Sequence, residues 1–149
     1  MNRPIEPQRI LLAIVLFNLV STWLHYSDNA LFLNLYPGPE WFTPRGIWAA
    51  VIVMTPIGIS GYWLYTKGSF LISYVLLGIY SITSVSSPGH YLYPMTMPMS
   101  LKIHGLTWLD ALSGLSLIGF LVWSWAIAQE WRKSESEFVS GFDPPQPPH

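Results

Sequence analysis

From residue 10 the chain reads ILLAIVLFNLVSTWL without a charged side chain, and three later stretches have the same character. A bilayer core about 30 Å thick is crossed by about 20 helical residues. Inside it every backbone polar group must be satisfied within the protein, which leaves helices as the fold for such runs. The expected spans are residues 10–35, 46–66, 70–85 and 106–131. The prediction is therefore an all-α integral membrane four-helix bundle over residues 10–133, with a cytoplasmic N-terminus at 1–9 and a disordered proline-rich tail at 134–149. Only 10% of the residues are charged, against about 25% in soluble domains. Eight Trp and eight Tyr suit the membrane–water boundary, where an amphipathic ring buries its body and wets its tip.

MNRPIEPQR followed by an apolar run resembles a signal peptide, but no small-x-small cleavage site follows, so a retained first span is expected. Four spans put both termini on one side. Arg3, Arg9, Lys67, Arg132 and Lys133 then share a face, and the positive-inside rule makes that face cytoplasmic. Arg45 and Lys102 fall on the other side. His25, Asp28, Glu40, His90, His104 and Asp110 also gather there, at the exterior end. A formal net charge of −1 gives no case for nucleic-acid binding. The absence of cysteine excludes disulfides and thiolate metal sites.

HYSDN (25–29) sits where the first span would be expected to end. Yet Asn18, Ser21, Thr22, His25, Asp28, Asn29 and Phe32 recur at three- and four-residue spacing, the spacing of one helical face. Leu19, Val20, Trp23 and Leu24 fill the intervening positions. The helix is thus expected to continue to about Leu33 or Leu35 and to stop at YPGPEW. An ionisable group in a span faces a partner or a wet cavity, so His25 and Asp28 either bond each other and their neighbours or face a ligand.

The fourth span carries Thr107, Asp110, Ala111 and Gly114 on one face, with His104 at its edge. Small residues there let helices approach closely, and Asp110 near the helix start suits the dipole. In the second span Pro56 removes a backbone donor, with Gly58 and Gly61 beside it. The third offers Ser73, Gly78, Ser81 and Ser84. The loop SSPGHYLYPMTMPM after it carries His90 and is expected either to fold over the bundle mouth or to connect along the interface.

Three functions are compatible with these residues. The first is a pocket in the exterior half for a membrane lipid or other hydrophobic small molecule, lined by His25, Asp28, Asn29, His90, His104 and Asp110. Acid–base chemistry there would fall to Asp28, His25 or Asp110. The second is a haem or metal site on His25, His90 and His104, although no HxxH, HxxxH or ExxH spacing occurs. The third is a structural subunit or assembly factor with a membrane-protein partner. P-loop, GxSxG and dinucleotide fingerprints are absent.

The stretch from Asp28 to Ser84 also resembles the EXPERA group, the four-span family of emopamil-binding sterol isomerases and sigma-2-receptor-like proteins. The likeness lies in an Asp late in the first span (Asp28 in HYSDNALF), a YP turn at Tyr36 and Pro37, and PEWF (39–42) opening the second span. Pro56 within that span, Tyr62 ahead of KGS (67–69), and IYS (79–81) in the third span complete it. The resemblance implies a four-helix membrane bundle with a hydrophobic-ligand cavity and Asp28 as the ligand-facing acid. The relatives place a further acid in the second span, where GIWAAVIVMTPIGIS has none. Ligand binding, rather than isomerisation, is what the resemblance then implies.

Overall fold

The computed structural model describes residues 6–95 and 98–132. The tail expected at 134–149 lies outside the described residues, as do Arg3, Lys133 and two residues of the third loop, Thr96 and Met97. Every regular element within them is helical. Four long helices follow in order: α1 (Pro7–Leu31), α2 (Pro44–Thr66), α3 (Phe70–Val85) and α4 (Leu101–Val122). Short 3-10 turns, Leu33–Leu35 and Ser87–Leu92, follow α1 and α3, and a π-helical stretch, Trp123–Ala128, prolongs α4.

The helix starts are chemically marked. The Thr43 hydroxyl accepts from the Gly46 amide at 3.1 Å, and Pro44 follows at the first helical position, where its missing N–H costs nothing. Ser100 caps α4 by accepting from the Ile103 amide. That cap starts α4 five residues before the expected 106, so Asp110 stands in the third turn. The dipole explanation for Asp110 does not apply there, because the effect fades within the first turn. At the other boundary, α1 runs unbroken through HYSDN, and the Phe32 amide closes it on the Asp28 carbonyl.

The helices form a ring in which α1 and α3 each pack against both α2 and α4. Leu11 and Val15 near the start of α1 share one core with Tyr65 at the end of α2 and with Leu117 and Phe120 late in α4. Sequential neighbours are therefore antiparallel. The α2–α3 seam is close because α2 has no side chain at two contact points. A Cβ added at Gly61 would stand 2.7 Å from Leu77 Cγ, and one at Gly58 2.9 Å from the Tyr80 ring. The Ser73 hydroxyl crosses this seam to the Gly61 carbonyl at 2.8 Å.

The outward faces are apolar: Leu16, Val20, Leu24, Ile52, Val53, Leu71, Ile72, Leu112 and Leu115 are all exposed. Pro7–Leu31, Pro44–Thr66 and Leu101–Ala128 are long and apolar enough to cross a membrane. α3, with 16 residues, is about 24 Å long at 1.5 Å per residue.

Candidate functional site

The polar stripe of α1 meets two different surroundings. Toward the bundle middle, Asn18, Ser21 and Thr22 face α3 and α4 and are all buried. The Asp110 carboxylate, fully buried, accepts from Thr22 Oγ1 at 2.7 Å and from Ser87 Oγ at 2.6 Å. Ser21 Oγ lies 2.6 Å from Ser113 Oγ, and Asn18 Nδ2 donates to Ser113 Oγ at 3.1 Å. Ser84 Oγ lies 2.8 Å from Thr22 Oγ1 and 3.1 Å from Asn18 Oδ1. Hydroxyls, amide and carboxylate thus satisfy one another across three helices, as a buried polar cluster must if it is not to cost stability.

One turn later on the same stripe the surroundings change. His25 and Asn29 are 1% and 5% exposed, yet His25 Nδ1 and Asn29 Oδ1 have no hydrogen-bond partner. Both residues line a cavity of about 410 Å³, a size within the usual range for small-molecule sites. Trp41 and Phe42 of the α1–α2 connection and Ile47 and Ala50 at the start of α2 supply its apolar wall. Ser86, Ser87, Gly89, His90 and Tyr93, between α3 and α4, close the other side. No charged side chain lines it. Two other buried hydroxyls, Tyr80 and Thr107, also lack partners, but neither borders this cavity.

His90 organises the polar corner. Its Nδ1 stands 2.6 Å from the Pro37 carbonyl, which only accepts, so Nδ1 carries a proton and donates. Burial lowers the His90 pKa, against the opposing effect of that carbonyl bond, which favours the neutral ring. Nε2 is then an acceptor, and Asn29 Nδ2 donates to it at 3.1 Å. The His90 ring also lies 5.5 Å from that of His25 and 5.1 Å from that of Tyr36, centroid to centroid.

The six residues expected to face a ligand are therefore divided. His25, Asn29 and His90 come together at the cavity; Asp28, His104 and Asp110 do not line it. Consecutive helical residues are turned by about 100°, so Asp28 and Asn29 cannot point the same way. Asp28 instead takes a 2.6 Å ion pair with Lys102 and a 2.8 Å bond from the Tyr36 hydroxyl. Burial first, and then that bond, push the Tyr36 phenol upward in pKa. His104 stacks on Tyr91 and is bonded to its hydroxyl at 2.8 Å. Asp110 reaches the cavity only through Ser87, whose hydroxyl it holds.

For a metal or haem on His25, His90 and His104 the donors are poorly placed. Both His90 nitrogens are engaged and His104 is paired elsewhere. Among the described residues no three His, Asp or Glu side chains converge to hold a metal ion.

Sequence reading missed the cavity wall from Trp41 to Ala50 and the part played by Ser87. The available signal was Thr43-Pro44, a helix start that brings the bulky residues before it against α1. A larger depression of about 750 Å³ lies at the far end of α3, between Gly68, Phe70 and Tyr74 and the side chains of Trp125 and Trp131. Its hydroxyl-bearing Tyr74 is already bonded to Ser124 at 2.8 Å. Comparison with family models, curated proteins and solved structures returns no match.

Proposed function

We propose that this chain is a multi-pass membrane protein of four spans that binds a hydrophobic small molecule or lipid in the cavity beside His25 and Asn29. The carrying observation is two buried polar atoms left without partners at the wall of a cavity otherwise apolar. A buried polar group with no partner costs about 1–3 kcal/mol, a cost that a bound polar head would remove. The apolar outer faces and the three long helices support the membrane reading. Arg9, Lys67 and Arg132 lie at the end away from the cavity, so the positive-inside rule puts both termini in the cytoplasm and the cavity in the exterior half.

The EXPERA resemblance supports the same use with different residues. The acid matching that family, Asp28, is held by Lys102 and Tyr36, and the cavity lining contains no carboxylate. Binding, rather than acid–base conversion, is the use this lining favours.

Mass spectrometry of molecules co-purifying with the wild type, His25→Phe and Asn29→Leu tests the reading. An apolar species present in the wild type and depleted in both variants is expected. Identical profiles in all three proteins would overturn it.

A further inference from the structure

We infer that the cavity selects apolar molecules whose polar head is an uncharged alcohol. The inference rests on the binding reading above and names its ligand class. Its basis is a chain of hydrogen-bond directions that starts at a backbone carbonyl.

The Pro37 carbonyl requires a proton on His90 Nδ1. The neutral ring then presents a lone pair at Nε2, which takes an N–H of Asn29. The amide is thereby oriented, and its oxygen is left over beside the cavity as a pure acceptor. Turning the amide around would set Oδ1 against the Nε2 lone pair. A head group meeting Asn29 must therefore donate.

His25 Nδ1 is the second unpartnered atom, one helical turn away. Side chains four apart on a helix have Cβ atoms about 5–6 Å apart. A single oxygen making two hydrogen bonds of about 2.8 Å bridges a gap of that size. A hydroxyl can do both: its O–H donates to Asn29 Oδ1 and its lone pair accepts from a His25 Nδ1–H. A ketone or ester accepts only, and would place oxygen against oxygen at Asn29. A carboxylate adds a charge that no cation in the lining balances. An ammonium donates but finds no free carboxylate, since Lys102 holds Asp28 and hydroxyls hold Asp110.

Equilibrium binding of a radiolabelled long-chain primary alcohol to the intact protein in lipid nanodiscs tests this. The methyl ketone, the fatty acid and the alkylammonium of matching length serve as competitors. The alcohol should bind tighter than the ketone by roughly 10-fold or more, the scale set by one unpaired buried acceptor. In His90→Phe the amide of Asn29 is free to turn, and the alcohol-to-ketone ratio should fall toward one while alcohol binding persists. Asn29→Leu should lose the preference as well. Equal affinity for alcohol and ketone in the wild type, or a tighter acid or ammonium, would overturn the head-group inference and leave the binding site standing. Saturable binding of none of the four would overturn both.

Discussion

Two halves of one helical stripe behave in opposite ways. Asn18, Ser21 and Thr22 hand every polar atom to Asp110, Ser84 and Ser113. His25 and Asn29, equally buried, each keep one atom unpaired. The difference lies in what stands opposite. The first three face hydroxyl-bearing helices; the other two face a cavity bounded by Trp41, Phe42 and the Ser87–Leu92 turn. Burial of a polar residue is thus no guide to its role. Saturation is: the saturated half holds helices together, and the unsaturated half is open to a ligand.

Substitutions in the saturated half should strike stability hardest. A side chain at Gly114 would meet the Ser81 carbonyl, Ser84 Cβ and Val85, each at 2.9 Å. Gly114→Leu is expected to cost about 3 kcal/mol or more by forcing α3 from α4, read by reversible unfolding in mixed micelles. Asp110→Ala removes the acceptor of two short hydroxyl bonds and should cost about 2–3 kcal/mol in the same assay. Neither variant, where folded, should change which molecule co-purifies.

In the unsaturated half the sign should reverse. His25→Phe replaces a buried imidazole without partners by a ring of similar shape, so stability should hold or rise by up to about 1 kcal/mol while ligand occupancy is lost. A loss of 2 kcal/mol or more would mean that His25 has a structural bond after all.

A shallower effect should follow pH. Burial keeps His90 below the ordinary imidazole value of 6.5, so the unfolded chain takes up a proton before the folded one. The stabilisation is complete above about that value and declines as pH falls below it toward the folded pKa. A second proton also turns Nε2 into a donor and reverses the Asn29 amide. Pro37, Asn29, Tyr36 and His25 are the groups that face the ring. The pH slope of stability, compared among wild type, His90→Phe and His25→Phe, assigns the effect; its survival in His90→Phe would remove His90 from it.

The smallest change is expected at the ion pair. Lys102 is about half exposed, so Lys102→Met should cost less than about 1 kcal/mol and leave ligand occupancy unchanged. A loss of binding there would return Asp28 to the site.

The register of α1 was legible because period alone sets which residues share a face: Asn18, Ser21, Thr22, His25 and Asn29 needed no partner to be grouped. Asp28 was grouped with them because it fits the three-residue spacing. What turns it away is Lys102, 74 positions on, which no local pattern reveals. His90 was legible as a candidate but not as the residue that orients Asn29, because that depends on a 3-10 turn and on the Pro37 carbonyl. The early start of α4 was written in Ser100, but the prolines and methionines around it read as loop. Long-range pairing, not local preference, accounts for most of what was missed.

The central claim is that the cavity beside His25 and Asn29 holds the ligand. Photolabelling in native membranes with a diazirine-bearing long-chain alcohol, followed by peptide mapping, addresses it directly. The account predicts labels concentrated between Trp41 and Ala50 and between Ser86 and Tyr93, competed by unlabelled alcohol and lost in Asn29→Leu. Labels spread over the exposed apolar faces of α1 to α4, unaffected by competitor or by the Asn29 substitution, would contradict it.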